Sequence, residues 1–553
     1  MDNKTIARTF KLCGQLMELF NENPFRTKAM ASASFKIDKL PFAAAHASLE
    51  ELSAQQGIGK STAERIKQVV TTGSFTDLDD LLAKTPTGIL EMLKIKGLGP
   101  KKIQIIWKDL EIESVGELYY ACNENRLVEA KGFGLKTQED IKKSIEFAMD
   151  NQGWLLYAKI LPFAQQTFDG LKKSLSEFEL DFTGEFRRKC EVLRQIELIT
   201  DAPLSILEKA IVDLKYESQV EIKDDHIVFT DKNAFPFVVY SAADNYAKNL
   251  ILKTGSPEHF TLLKAIAPEI PNGADEKSIY NSLGLTYIEP ELREGLDEIE
   301  LAKNNALPKL ITFDDLKGTL HNHSTYSDGV HSLAEMARYC KEDLGLAYLG
   351  ICDHSKTAVY ANGLSVERLE QQWAEIDSLN QQFAPFKIFK GIESDILTDG
   401  SLDYPDEILA KFDFVVASVH SNLKMDEQKA TVRLIKAIEN PYTTILGHPT
   451  GRLLLSRAGY PLDFKKIIDA CAANKVVIEI NANPLRLDLD WRWHRYALEK
   501  GVLLSINPDA HRTEGLLDLH YGVYVGRKGG LSADKCLNAY SLDQITSYFQ
   551  SKK

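Results

Sequence analysis

At 553 residues the chain is too long for a single hydrophobic core and is expected to divide into roughly three to five domains. Its formal net charge of -13 excludes a protein that coats nucleic acid through bulk positive charge, so any such contact must be local, through backbone amides or a few clustered cations. Met1 to Lys4 is polar, no apolar run approaches the ~20 residues that span a bilayer, and the seven cysteines are scattered without a C-x-x-C, so we expect a cytosolic chain with no membrane partner, disulfide framework or thiolate zinc site.

Apolar residues recur at helical spacing from Lys4 to Phe20, and Asn23-Pro24-Phe25-Arg26 breaks that helix. Gly57-Ile58-Gly59-Lys60-Ser61-Thr62-Ala63 then lies between helical segments. Gly97-Leu98-Gly99-Pro100-Lys101-Lys102 repeats the pattern, and Lys131-Gly132-Phe133-Gly134-Leu135-Lys136-Thr137 repeats it again. A turn with two glycines around one apolar residue permits left-handed backbone and leaves amides free at the start of the next helix, where they can hold a phosphate. One such turn is more often a structural corner. Three copies, each beside a Lys or Thr, favour sequence-independent contact with a nucleic-acid backbone at Gly57, Gly59, Lys60, Gly97, Gly99, Lys101, Gly132 and Gly134. They resemble helix-hairpin-helix motifs.

Asn23-Pro24-Phe25-Arg26-Thr27-Lys28-Ala29 and the three hairpins, in this order, resemble the first regions of bacterial family X DNA polymerases. The likeness continues through Thr183-Gly184-Glu185-Phe186-Arg187-Arg188, Thr254-Gly255-Ser256-Pro257-Glu258-His259 and Leu283-Gly284-Leu285-Thr286-Tyr287, and so covers nearly all of the first 315 residues. Nucleotidyl transfer needs two Mg²⁺ ions held by carboxylates on adjacent strands. Where the family carries an Asp-x-Asp pair, Arg194-Gln195-Ile196-Glu197-Leu198 leaves one carboxylate, Glu197, with Gln195 beside it. The family's third Asp falls at or near Phe237, and Glu185 replaces its phosphate-side Ser. Arg187 and Arg188 remain, as a pair expected to be solvated. The resemblance therefore implies a palm that has lost its chemistry and a scaffold that holds DNA.

From Gly318 onward short β-rich runs alternate with amphipathic helical stretches, including Val366 to Phe383, Glu427 to Glu439 and Phe464 to Asn474. This is the pattern of repeated βα units around a parallel sheet or barrel. The runs finish at His321-Asn322-His323, Asp353-His354, Glu393, His420, His448, Asn481 and Asp509-Ala510-His511. Six of the seven thus end in His, Glu or Asp-x-His. In a βα-barrel those ends meet on one face, where such folds carry their chemistry. His321 and His323 alternate on extended chain and so face one way.

With Ser327-Asp328-Gly329, Ser418-Val419-His420-Ser421 and Gly447-His448-Pro449, these ends look like the successive motifs of the PHP (polymerase and histidinol phosphatase) domain. The resemblance implies a distorted seven-stranded barrel with three divalent cations. His321, His323, Glu393 and Asp509 would surround one; Glu393, His420 and His448 a second; Asp328, His354 and His511 a third. Imidazole with a few carboxylates suits Zn, Mn or Fe better than Mg²⁺ or Ca²⁺. Phosphoester hydrolysis by an activated water follows as the expected reaction, with Glu393, Asp509, His321 and His323 closest to it.

Arg452 and Arg486 lie at the same end and are candidates to pin substrate phosphate, with surface salt bridging as the alternative. Asp353 is a candidate to orient His354, or a strand-end cap. His331, His494 and His520 are expected to be ordinary, Cys352 a core filler, and Trp491 and Trp493 part of the outer helix layer.

The fold expected is a multidomain α+β and α/β chain. It runs from a helical helix-hairpin-helix domain (1–85) through a fingers-like helix-hairpin-helix region (86–147), a palm-like domain (148–250) and a thumb-like domain with linker (251–315) to a (β/α)7 PHP barrel (316–553). The leading functional expectation is a 3′-5′ exonuclease in DNA repair, working on DNA in a bacterial cytosol and needing no obligate protein partner. The alternatives are an active polymerase with exonuclease, a histidinol-phosphatase-like enzyme and a non-catalytic DNA-binding protein.

Overall fold

A computed structural model describes every residue except Asp2, Pro41, Lys96, Glu129, 150–152, 217–219, Ala234 and Lys553, and its chain divides into two compact units, 1–151 and 152–553. The first unit is helical throughout its described elements. Helix α1 (Asn3–Leu19) packs against α2 (Pro24–Asp38), which restarts where Asn23 accepts a hydrogen bond from the Phe25 amide and Pro24 presets the first turn. One apolar core runs from Ile6 to Ile145, so both sets of hairpins share it. The three turns precede α3 (Lys60–Thr72), α4 (Pro100–Lys108) and α5 (Leu135–Met149). In each turn the first glycine takes the left-handed conformation, with φ of 83° at Gly57, 91° at Gly97 and 87° at Gly132.

The second unit opens with a five-stranded sheet: β1 (Leu180–Thr183), β2 (Ile196–Thr200), β3 (Glu221–Ile222), β4 (His226–Thr230) and β5 (Pro236–Ser241), in the order β1-β2-β5-β4-β3. Only the β2/β5 pair is parallel. A small helical segment with its own core, from Ala247 to Leu310, follows. Then come seven parallel strands in strict chain order: β6 (Gly318–Thr319), β7 (Tyr348–Ile351), β8 (Lys387–Asp395), β9 (Phe414–Ser418), β10 (Ile445–Leu446), β11 (Val477–Asn481) and β12 (Leu504–Asn507). A bridge between Asn322 and Ala510, with the His323 amide donating to Ala510 O at 2.9 Å, joins the first strand end to the last and nearly closes the barrel. Helices Val366–Phe383, Glu427–Ile438 and Phe464–Asn474 bury their apolar stripes against the barrel, and Phe464 stacks on Trp493 at 4.6 Å in that outer layer.

Buried ion pairs tie the palm-like sheet, the helical segment and the barrel together. Arg187 grips Glu276 with two nitrogens at 2.9 and 2.6 Å, and the fully buried Arg293 meets the same carboxylate at 2.6 Å. Arg188 donates to Glu294 at 2.9 Å and to Thr254 O at 2.7 Å, while Lys528 of the barrel also pairs with Glu294. The arginine pair is therefore not solvated, as expected from a surface turn, but spent inside the protein. Burial alone would raise the Glu276 pKa, yet Arg187 and Arg293 outweigh it and hold the group at about 2.

Glu276→Gln strands two arginines, one of them fully buried, and should destabilise the second unit by about 3–5 kcal/mol in urea unfolding. A carboxyl held below its unfolded value stabilises above that value and loses the contribution as pH falls through its folded one. The gap between wild type and variant should therefore be full above pH 4.5 and close toward about pH 2.

Candidate metal centre

The carboxyl ends of six of the seven strands bring together all nine residues singled out in the sequence. Glu393, fully buried near the end of β8, stands at the middle. Around it lie His448 Nε2 and His354 Nδ1 at 3.0 Å, His420 Nε2 at 3.1 Å and His321 Nε2 at 3.3 Å. His323 Nε2 is 3.0 Å from Asp509 Oδ1, and His321 Nε2 is 3.5 Å from the same atom. Asp328 lies 3.3 Å from His511 Nε2 and 3.6 Å from His354 Nε2. His323 and His354 each face two of these sets.

Several of these approaches lack hydrogen-bond geometry. His321 Nε2, His323 Nδ1, Asp328 Oδ2, His354 Nδ1, Glu393 Oε2 and His448 Nδ1 are buried without a hydrogen-bond partner. Buried polar atoms are ordinarily paired, and six unpaired ones gathered in one basin fit a set of cations held by nitrogen and oxygen. Subsets such as His323, Asp328, His354 and His511, or His321, His323 and Glu393, place one ligand atom each within 4.8 Å of the others. Burial and then the neighbouring His511 and His354 push the His323 pKa down to about 3, keeping that ring a neutral donor of lone pairs. Burial would raise the Glu393 and Asp509 pKa values, but the imidazoles hold both well below the ordinary range.

Residues that the sequence did not single out hold the ligands in place. Glu479, on β11, accepts from His321 Nδ1 at 2.7 Å and from the His448 amide at 2.7 Å. Asp395, two residues past Glu393, takes His420 Nδ1 at 2.5 Å, and Asn481 donates to Asp509 Oδ2 at 3.0 Å. Their signal was the period of two: Glu479 and Asn481 share a face on one strand, as do Glu393 and Asp395 on another.

Asp353 does not orient His354. Its oxygens accept from the Ser324 amide (2.8 Å), Ser324 Oγ (2.6 Å), Ser327 Oγ (2.5 Å) and Gln372 Nε2 (2.6 Å), so it clamps the turn that carries Asp328. Arg452 corrects the sequence expectation. It donates to Asp490 at 2.5 Å, to Arg486 O at 2.9 Å and to Leu487 O, so each of its three nitrogens is engaged within the protein, the ion-pairing alternative rather than a phosphate clamp. Arg486 is buried with Nε 3.9 Å from Asp509 Oδ2, and so reaches the basin. His331 accepts from the Thr513 amide, His494 bonds Leu489 O and His520 stacks on Phe313, all outside the centre. Cys352 is buried, with Sγ 3.1 Å from Leu320 O.

Among the described residues the palm-like sheet offers no comparable cluster. The β2/β5 register sets Glu197 beside Val238, while Phe237 pairs with Ile196 and turns into the core to stack on Phe229 at 5.3 Å. The residue facing Glu197 is thus Val238, adjacent to Phe237 and, like it, apolar. Tyr240 donates to Glu197 at 3.1 Å, and a Cβ on Gly184, at φ 60°, would lie 1.8 Å from Glu197 Oε2. Burial raises the Glu197 pKa, with Gln195 hydrogen-bonded to it and Glu185 adding a like charge.

A seven-stranded parallel barrel with this basin at its strand ends, preceded by helical hairpins and a palm-like sheet, defines a metal-binding barrel of the PHP class on a polymerase-like body. Comparison with known proteins agrees. A helix-hairpin-helix domain model matches residues 1–75, a SAM-like helix-hairpin-helix tandem matches 89–146 and a PHP domain matches 319–483. A Bacillus subtilis protein named DNA polymerase/3'-5' exonuclease PolX is 33% identical over 573 residues, covering 100% of each chain. A probable phosphatase of Thermoanaerobacter is 28% identical over 244 residues, 42% of this chain and 94% of its own, and one of Vibrio atlanticus is 28% identical over 214 residues, 36% of this chain and 79% of its own. The chain belongs to the bacterial PolX family, and its PHP domain is of the phosphoesterase kind. Among the described residues no helix is long and apolar enough to cross a membrane.

Asp353→Asn would turn an acceptor toward a donor in a buried site and should cost about 1–3 kcal/mol. Thermal or urea unfolding checks it, and an unchanged midpoint would mean that the turn at Ser324 is held by other contacts.

Proposed function

We propose that the barrel is a metal-dependent 3′-5′ exonuclease acting in DNA repair, carried on a polymerase body that no longer transfers nucleotides. The observation that carries the reading is the ring of buried imidazole nitrogens 3.0–3.3 Å from Glu393, in a basin where several ligand atoms, Glu393 Oε2 among them, have no hydrogen-bond partner. His321, His323, Glu393 and Asp509 hold one divalent ion; Glu393, His420 and His448 a second; Asp328, His354 and His511 a third, with Zn, Mn or Fe as the fitting metals. When bound, such ions supply Lewis acidity and lower the pKa of a water at the phosphate. Glu393 spans two of the sets, and Arg486 steadies the phosphate from beside Asp509. Cleavage from the 3′ end is supported by the name of the full-length Bacillus relative, a 3'-5' exonuclease.

DNA binding falls to the hairpins. Gly59 and Gly99 sit at the N-caps of α3 and α4 with ordinary φ values of -78° and -93°, and nothing lies within 4 Å of where their Cβ would be. Neither backbone nor internal packing calls for glycine there. Close approach of an outside phosphate to uncapped first-turn amides does. The palm reading rests on Glu197, a single carboxylate facing Val238 and covered by Tyr240, where paired Mg²⁺ would need several. The relatives named probable phosphatases, which cover 42% and 36% of this chain, favour a second reading, hydrolysis of a small phosphate ester.

With Mn²⁺ or Zn²⁺ and 3′- or 5′-labelled single-stranded and gapped DNA, the wild type should release the 3′ label first, and His321→Ala and Glu393→Ala should fall to background. Equal hydrolysis in the variants, or template-directed dNTP incorporation by His321→Ala, would overturn the proposal. Gly59→Asp and Gly99→Asp keep a good helix cap and should leave unfolding unchanged. Each should weaken DNA binding by about 1.5–3 kcal/mol, the worth of hydrogen bonds to a charged group, plus added repulsion.

A further inference from the structure

We propose that Glu479 is a positioning residue of the metal centre, fixing the tautomer of His321 and the backbone of His448 through one carboxylate. The inference rests on the metal-dependent reading above and adds a residue to it. Glu479 is fully buried on β11, on the same inward face as Val477 and Asn481, and every partner it has is a donor. Oε1 accepts from His321 Nδ1 at 2.7 Å and Asn507 Nδ2 at 3.0 Å. Oε2 accepts from the His448 amide at 2.7 Å and Asn481 Nδ2 at 3.3 Å.

Because Nδ1 of His321 carries the proton toward Glu479, Nε2 is left as a bare lone pair aimed at Glu393 and Asp509. The other oxygen anchors His448 at φ 21°, a backbone conformation that costs energy, with its Nε2 3.0 Å from Glu393. The two asparagines extend the hold: Asn481 also donates to Asp509 Oδ2 at 3.0 Å, and Asn507 Oδ1 accepts from the Leu320 amide at 3.1 Å, one residue before His321. One side chain thus sets ligands at the ends of β6 and β10, which serve different ions in the proposed assignment.

Burying a carboxylate with no Lys or Arg among its ion pairs is expensive, and an apolar residue would serve a purely structural position better. Glutamine sharpens the point. It matches Glu479 in size, but its amide nitrogen must face either the His321 and Asn507 donors or the His448 and Asn481 donors, so one pair is always lost.

The test strips the full-length wild type and Glu479→Gln of metal and titrates each with Co²⁺. It follows the visible absorption of the bound ion and competition with a chelator, beside thermal unfolding of the metal-free proteins. The variant should stay folded, bind Co²⁺ roughly 10–100-fold more weakly with an altered spectrum, and recover part of its hydrolysis at saturating metal. Wild-type affinity and spectrum in Glu479→Gln would overturn the role of Glu479, while a wild type that binds no Co²⁺ would overturn the metal reading itself. Should the variant fail to fold, ¹⁵N-histidine NMR of the wild type loaded with Zn²⁺ decides: a proton on His321 Nδ1 supports the proposal, and a bare Nδ1 sinks it.

Discussion

A fully buried glutamate ringed by imidazoles is the constraint on which the second unit depends. Four histidine nitrogens stand 3.0–3.3 Å from Glu393, and a charge so placed survives only where opposite charge repays its lost hydration. The ligands come from six of the seven strand ends, and the seventh supplies Glu479 and Asn481 to hold them, so the cost is met only when the whole barrel is in register. The short strands β6 and β10, of two residues each, are tolerable because groups outside the ladder finish the job. Asp353 clamps the turn after His323, Asp395 takes the far nitrogen of His420, and Glu479 reaches both His321 and the His448 amide.

The same logic of buried charge explains the polymerase-like body. Arg187, Arg188 and Arg293 share Glu276 and Glu294, and Lys528 brings the barrel into that network. Arg187 and Arg188, which the sequence offered as a solvated pair, are here paired internally. Tyr521 and Tyr524 of the barrel also pack on the palm-like core, so the palm-like sheet and the barrel belong to one compact unit. Glu197 is likewise engaged within the protein, by Tyr240 and Gln195 and with the backbone of Gly184 close beside it.

Much of this was legible in the chain because it depends on local periodicity. The helices Val366–Phe383 and Phe464–Asn474 and the strand ends at His321, His354, Glu393, His420, His448 and Asp509 follow from spacing and residue type. The hairpin glycines follow from the φ that only glycine adopts cheaply. What was illegible depends on contacts distant in sequence. Arg452 and Arg486 look alike on paper, but only tertiary packing turns the first onto Asp490 and the second toward Asp509. Glu479 sat two residues short of a strand end that appeared to lack a ligand, and its partners lie 158 and 31 residues away. Phe237 and Val238 are separated only by the pairing register of β2 with β5.

The central claim is that the chain has one working centre, at the strand ends of the barrel. Crystals soaked in Mn²⁺ and measured at its absorption edge test it most directly. The account predicts anomalous density among His321, His323, Asp328, His354, Glu393, His420, His448, Asp509 and His511 and none beside Glu197. Density at Glu197, or an empty basin at saturating Mn²⁺, would contradict it.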